Sequence, residues 1–351
     1  MKMLKRSLAG AVLALCLLLS ACSSGLAEGQ KTVVRVPEGA TAREVADLLA
    51  DAGVVPSAEV FYRVAQLKGN AEKFQYGVYT FTGGMNYAEI VEVLMQGTVA
   101  EGISVTVLPG KSVEAIGRML EEMNLCTKED FVAACDDASC DFPFLADMPD
   151  KELRRHVLEG YLAADTVEVL TTDSAREIAR RLLEQTKNVL EDSGRAERLR
   201  ELGMSVDELL VLASVVEKEA DNTADMKRVA RVFLNRNARG MAWESCPTVW
   251  YALGRETEAT LELLFRQIEE ASYPNCPYYR YNTYTMYQTV SQGDPVLKPI
   301  GPICSPSAAA IDAVLYPADE SDRSLYFFYD EKTGVTRFFE DYDSFYAAAY
   351  N

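Results

Sequence analysis

Ser205-Val206-Asp207-Glu208-Leu209-Leu210-Val211-Leu212-Ala213-Ser214-Val215-Val216-Glu217-Lys218-Glu219 decides how this chain is read. Ser205 and Glu208, three residues apart ahead of an apolar run, form a capping box that starts a helix. Leu209 to Val216 are apolar on nearly every face, so the helix has to be buried among other elements. It ends in Glu217-Lys218-Glu219. Glu217 shares a stripe with Leu210, Ala213 and Ser214, whose small side chains leave room for a ligand. At ~100° per residue, Glu219 projects about 200° from Glu217, so the two carboxylates do not share a face. Spacing alone also fits an ordinary solvated helix end.

Outward from this helix the chain stays helical between about 170 and 240. Thr172 begins one helix, and Ala224 to Arg239 forms another, closed by Gly240. Residues 241–310 are rich in Tyr, Pro and Gly and read as long ordered loops. Leu325 to Tyr329 and Val335 to Phe339, joined by Asp330 to Gly334, predict a β-hairpin, and a last short helix starts near Asp341. Residues 127–155 are acidic and loop-rich, and Asp136-Asp137 lacks the ligand spacing of an EF-hand.

The N-terminal part carries a weak repeat. Val34-Arg35-Val36-Pro37-Glu38-Gly39 alternates like a strand and ends in a turn, and Thr41 to Glu44 then caps a helix with the stripe Val45, Leu48, Leu49. Val105 to Gly110, Ser112 and the stripe Ile116, Met119, Leu120 repeat the design. Between the copies, Gly77 to Phe81 is a strand and Asn86 to Glu89 caps a helix through Ile90, Val93 and Leu94. The polar residues of these units sit at caps and on solvated faces, and none reads as catalytic. The fold class expected is α+β. Small α/β modules span 32–126, followed by a mostly helical domain over 127–351 with long ordered loops and a C-terminal β-hairpin.

The 351 residues hold 35 Lys and Arg against 53 Asp and Glu, a net charge of −18, which disfavours binding to nucleic acid. A single histidine, His156, excludes multi-histidine metal sites, and any Ser-His-Asp or Cys-His catalyst would have to use it. What remains is carboxylate chemistry, with no cofactor and no metal called for. A carboxylate closing a hydrophobic helix is partly desolvated, which raises its pKa toward neutrality. A general acid for glycosidic cleavage requires this, and Glu217 is the candidate.

Lys2, Lys5 and Arg6 precede an apolar run from Leu8 to Leu19, too short to span a bilayer comfortably. Leu19-Ser20-Ala21-Cys22 has the form of a lipobox. Residues 1–21 are then a lipoprotein signal peptide, Cys22 the lipidated residue and 22–31 a tether, with a plain signal peptide cut near Ala21 as the alternative. Two acyl chains on Cys22 would hold the protein to a membrane outside the cytoplasm. Six cysteines remain: Cys126, Cys135, Cys140, Cys246, Cys276 and Cys304. Disulfides or buried thiols fit them better than zinc.

Several stretches follow one another in order: Leu158-Glu159-Gly160-Tyr161-Leu162 with Asp165-Thr166, Ala213 to Glu219, and Val232-Phe233-Leu234-Asn235-Arg236. Pro247-Thr248-Val249-Trp250-Tyr251-Ala252-Leu253-Gly254, Tyr281-Asn282-Thr283-Tyr284 and Gly301-Pro302-Ile303 follow. In this order they resemble the YceG-like endolytic murein transglycosylase family, and the early units resemble its LysM-like region. The resemblance implies cleavage of peptidoglycan glycan strands between N-acetylmuramic acid and N-acetylglucosamine, leaving 1,6-anhydro ends. It makes Glu217 the catalytic glutamate and sets Glu219, Asn235, Thr248, Asn282, Thr283 and Tyr284 along the groove. It also implies work beside peptidoglycan synthases such as penicillin-binding proteins. Asp165 and Arg236 fit a buried ion pair equally well, and Tyr281 and Tyr284 fit core packing.

The chain departs from that pattern at several points. Cys246 stands where the family usually has Asp before Pro-Thr-Val, Ala164 precedes Asp165-Thr166, and the C-terminal end has no histidine. A lipobox replaces the usual membrane helix, and the stretch from Gly254 to Tyr281 is unusual. These departures leave a second reading, a catalytically weak glycan-binding scaffold.

Overall fold

The computed structural model describes residues 25–37, 39–97, 102–137, 141–146, 148–192, 194–255, 261–286 and 295–350. The lipobox with Cys22, and Cys140, lie outside them. The chain divides into two compact units. One comprises the described residues up to Ile103 with Met119–Thr127 and Glu168–Ile178; the other comprises Ser104–Arg118, Lys128–Val167 and Ala179–Asn351.

In the first unit β1 (Lys31–Val36) runs antiparallel to β2 (Gly77–Thr82), with Lys31 opposite Thr82 and Val36 opposite Gly77. Helices α1 (Ala42–Asp51), α2 (Ala58–Leu67) and α3 (Tyr87–Gln96) accompany the pair. Thr41 with Glu44 and Asn86 with Glu89 form the two expected capping boxes. Alternation along β1 buries Val34 and Val36 with Val45, Leu49, Phe61, Tyr79, Phe81, Ile90 and Leu94 in one core. Helix α2 had no counterpart in the sequence reading, although Ser57 caps it and Phe61, Val64 and Ala65 are its buried stripe.

The second copy of the repeat does not pair with the first. Its strand, β3 (Gly102–Thr106), pairs with a later one, β4 (Thr166–Leu170), in a separate sheet. Its helix is α4 (Val113–Glu122), and the acidic stretch after it, expected as loop, forms α5 (Lys128–Asp137) with Phe131 and Cys135 buried. The short α6 (Pro143–Ala146) follows, then α7 (Ala175–Glu191), which starts after Ser174 and not at Thr172. Ser174 and Glu177 exchange capping hydrogen bonds there, which fixes the start.

The surface helix α8 (Arg195–Leu202) leads into α9 (Val206–Glu219) and α10 (Thr223–Ala238), which carry the largest buried faces of the second unit. Helix α9 opens with the Ser205–Glu208 capping box and buries Leu209 through Val216 without a break, as its apolar sequence demands. The region expected as loops also contains helices, α11 (Cys246–Leu253) and α12 (Leu261–Glu270). Pro247 suits the first turn of α11, and Gly254 closes that helix in the left-handed region at φ 67°. Helix α13 (Ala308–Leu315) packs against α9 and α10. The hairpin β5 (Tyr326–Asp330) and β6 (Val335–Phe339) forms as expected, with Tyr326 opposite Phe339, and α14 (Tyr342–Tyr350) ends the fold. No helix among the described residues is long and apolar enough to cross a membrane.

Candidate active site

Glu217 is partly buried near the end of α9, where the chain leading into α13 reaches it. The Ser307 amide donates to its Oε2 at 3.0 Å and the Ser307 hydroxyl donates to the same oxygen at 2.5 Å. Ser307 is also the N-cap of α13, accepting from the Ala310 amide at 3.1 Å, so the residue holding Glu217 is itself held by a helix start.

The chain leading to Ser307 is fastened to α9 one turn earlier. The Ile303 amide donates to Ser214 Oγ at 3.1 Å, and Cys304 Sγ lies 3.3 Å from the Ser214 carbonyl. The stretch also exchanges backbone bonds with the loop before α4, Gly110 N to Ser305 O at 2.9 Å and Ser305 N to Lys111 O at 2.8 Å. Gly160 makes this approach possible. It sits at φ 76°, and a Cβ there would lie 2.2 Å from the Pro302 Cβ. The Leu-Glu-Gly-Tyr-Leu and Gly-Pro-Ile stretches are thus packed together for a steric reason.

Glu219 faces another set of partners, as the helical angle requires. Ser245 Oγ donates to its Oε1 at 2.6 Å, and the Ser245 amide donates to Thr283 Oγ1 at 3.1 Å. Thr248 Oγ1 donates to the Ser245 carbonyl at 2.7 Å and lies 3.0 Å from Thr283 Oγ1. Cys246 Sγ is 3.1 Å from the Tyr284 hydroxyl. Burial raises the Glu219 carboxyl above its ordinary value against the Ser245 hydroxyl and Arg236. Burial and the charge of Glu219 push the Cys246 thiol up to about 11, so a neutral group stands there. Tyr284 is raised by burial and by the neighbouring Cys246.

Of the residues expected along a groove, the structure therefore gathers Glu219, Thr248, Thr283 and Tyr284, with Cys246. Asn282 supports them from below: its amide nitrogen donates to the Ile268 carbonyl at 3.0 Å and its oxygen accepts from the Tyr284 amide at 3.0 Å. Asn235 is elsewhere, its amide nitrogen donating to the Asp322 and Ser324 carbonyls at 2.9 and 3.0 Å. Asp165 and Arg236 do not pair. Asp165 accepts from Gln185, and buried Arg236 donates to the carbonyls of Leu325, Ala242 and Trp243. Tyr281 is fully buried against Tyr251, in line with a core role. Cys246, Cys276 and Cys304 are unbridged thiols. Sequence reasoning missed Ser307 and Ser245, and the signal for Ser307 was a serine directly ahead of Ala308 to Leu315, a short apolar helix.

The end of α9 thus presents two carboxylates in separate settings, Glu217 anchored by Ser307 and Glu219 among the hydroxyls of Ser245, Thr248 and Thr283, and a helix-borne carboxylate of the first kind is a candidate for general acid–base chemistry. The sequence model of the YceG-like family matches residues 34–351, and the chain belongs to that family. It is 28% identical over 302 residues to the endolytic murein transglycosylase of Bacillus subtilis (strain 168), covering 84% of this chain and 77% of that protein. It is 28% identical over 319 residues to the endolytic murein transglycosylase of Streptococcus pneumoniae serotype 2, covering 86% of this chain and 54% of that longer protein. The crystal structure of a yceG-like protein, lmo1499, from Listeria monocytogenes superposes with a TM-score of 0.57 at 27% identity, covering 92% of this chain and all of that one.

Proposed function

We propose that this protein is a lytic transglycosylase that cleaves peptidoglycan glycan strands internally, between N-acetylmuramic acid and N-acetylglucosamine, and leaves 1,6-anhydro ends. The observation that carries the reading is the Glu217 carboxylate anchored through one oxygen by Ser307, in a chain whose relatives bear that activity in their names. Glu217 protonates the glycosidic oxygen as the bond to the anomeric carbon breaks, then takes the proton of the C6 hydroxyl of the same muramic acid as that oxygen closes on the anomeric carbon. The internal hydroxyl replaces water, so a second enzymic nucleophile is not needed, unlike in retaining hydrolases. The hydroxyls around Glu219 suit sugar hydroxyls and acetamido groups. The N-terminal unit serves as a LysM-like glycan-positioning module, Cys22 carries the lipid that ties the enzyme to a membrane outside the cytoplasm, and the strands it trims come from neighbouring peptidoglycan synthases.

The test is digestion of uncrosslinked glycan strands by the purified full chain and by Glu217→Gln, with mass spectrometry of the ends. Internal fragments with anhydro ends, absent with the variant, are expected. Reducing ends, each heavier by one water, would replace the transglycosylase with a hydrolase, and strands bound but intact would leave only the scaffold.

A further inference from the structure

The mechanism leaves unused a cavity of about 340 Å³ in the second unit, lined by the first turns of α4, by Arg155 and Glu159, and by residues of α11. A chain with 53 acidic against 35 basic residues surrounds this space with four cations, Arg118, Arg155, Lys218 and Arg255, against two carboxylates, Glu114 and Glu159. Some of these charges are spent on each other. Arg155 donates to Glu114 at 2.9 Å, and Arg255 pairs with Glu270 at 2.6 Å. Against the burial that would raise it, Arg155, His156 and Lys128 hold the Glu114 carboxyl down at about 2.

Lys218 is different. Among the described residues its ammonium has no hydrogen-bond or ion-pair partner, and it lies over Gly110, where a Cβ would stand 3.7 Å from Nζ. Arg118 reaches Glu114 only at 3.8 Å and is half exposed. Trp250 and Tyr251 supply aromatic surface on the α11 side. Glu159, fully buried, accepts from the Val113 amide at 3.1 Å and from the Tyr251 hydroxyl at 3.0 Å.

We propose that this cavity holds the peptide substituent of the glycan strand, a short acidic peptide whose carboxylate pairs with Lys218 and Arg118 and whose backbone lies against Trp250 and Tyr251. The inference rests on the reading of peptidoglycan as substrate. Two points favour a peptide over a simple anion. Aromatic faces beside hydrogen-bonding groups suit amide planes. Lys218 directly follows Glu217, and the muramic acid whose bond Glu217 protonates is the sugar that carries the peptide.

The chain has two tryptophans, Trp243, which is buried away from this cavity, and Trp250, which lines it, so tryptophan emission reports occupancy. The probe is the free tetrapeptide L-Ala-D-Glu-diaminopimelate-D-Ala, titrated into the purified full chain, with its fully amidated form as control. We expect a saturable emission change, weakened about tenfold by Lys218→Met and by amidation, the order of one charge-assisted contact. Arg118→Gln, on an exposed helix face, gives a second reading should Lys218→Met lose its native circular dichroism. On peptide-bearing strands, Lys218→Met is expected to raise KM with little change in kcat. No saturable change with the wild-type chain, or equal affinity of folded variants and wild type, would overturn the proposal. Cleavage of strands stripped of peptide without peptide binding removes the cavity's role alone. Peptide binding without cleavage of any strand removes the transglycosylase reading alone.

Discussion

Ser307 bonds Glu217 through both its amide and its hydroxyl, and both land on Oε2, so among the described residues Oε1 carries no such bond. The anchored oxygen fixes the carboxylate plane; under the proposed mechanism the other oxygen exchanges the proton and Ser307 acts as a positioning residue. Removing its hydroxyl also removes the cap of α13. Ser307→Ala is expected to cost about 1 kcal/mol of stability and to lower kcat about tenfold or more with KM nearly unchanged, since a hydrogen bond to a charged group is worth ~1.5–3 kcal/mol. Ser307→Thr should restore most of kcat. A fall in stability without a fall in kcat would limit Ser307 to capping.

Asn235 spends its amide nitrogen on two carbonyls of the segment before β5. Asn235→Ala is expected to lower the unfolding free energy by roughly 1–2 kcal/mol and leave KM for glycan strands within about twofold. Denaturant unfolding beside steady-state kinetics checks both. A large rise in KM with unchanged stability would return Asn235 to the groove.

Glu159 gives the fold a pH dependence. Burial pushes its carboxyl up to about 7 from 4.5, against His156, the Tyr251 hydroxyl, the Val113 amide and Arg155. The folded chain therefore holds a proton that the unfolded chain has released between those values. The stability it contributes is complete below about pH 4.5 and is lost as pH rises through 7, with an upper bound of roughly 3 kcal/mol. The stability of wild type minus that of Glu159→Gln should fall across this window and flatten above it. A difference that stays level with pH would show that Glu159 ionises normally.

Cys246 is partly exposed, yet its thiol is raised to about 11 from 9.0. Native protein treated with iodoacetamide at pH 8 should alkylate there at roughly a hundredth the rate of an unperturbed thiol, because only the thiolate attacks. Glu219→Gln, which removes the neighbouring charge, should speed the reaction. Mass spectrometry of tryptic peptides reads both rates, and rapid labelling of the wild-type chain would contradict the neutral thiol.

Much of this fold was legible locally. The capping boxes at Thr41, Asn86 and Ser205, the unbroken apolar run of α9 and the alternation around the turn at Asp330–Gly334 each act within a few residues. Two local readings failed for local reasons. The acidic composition of Lys128–Asp137 hid a helix whose buried side consists of Phe131 and Cys135, and the Tyr- and Pro-rich stretch hid α11, whose Pro247 starts a helix and does not break one.

The sequence by itself determined the helices, the first sheet's strands and the opposite facing of Glu217 and Glu219, because capping, periodicity and the helical angle are properties of neighbours in the chain. Tertiary structure alone decided what each carboxylate meets. Ser307 lies 90 residues from Glu217, and Ser245 lies 26 from Glu219. No local signal specifies those approaches, which come from the packing of α13 and the start of α11 against α9. The same packing sent Asn235 to the C-terminal segment and enclosed Glu159 under Tyr251, a burial that nothing in its local sequence announced.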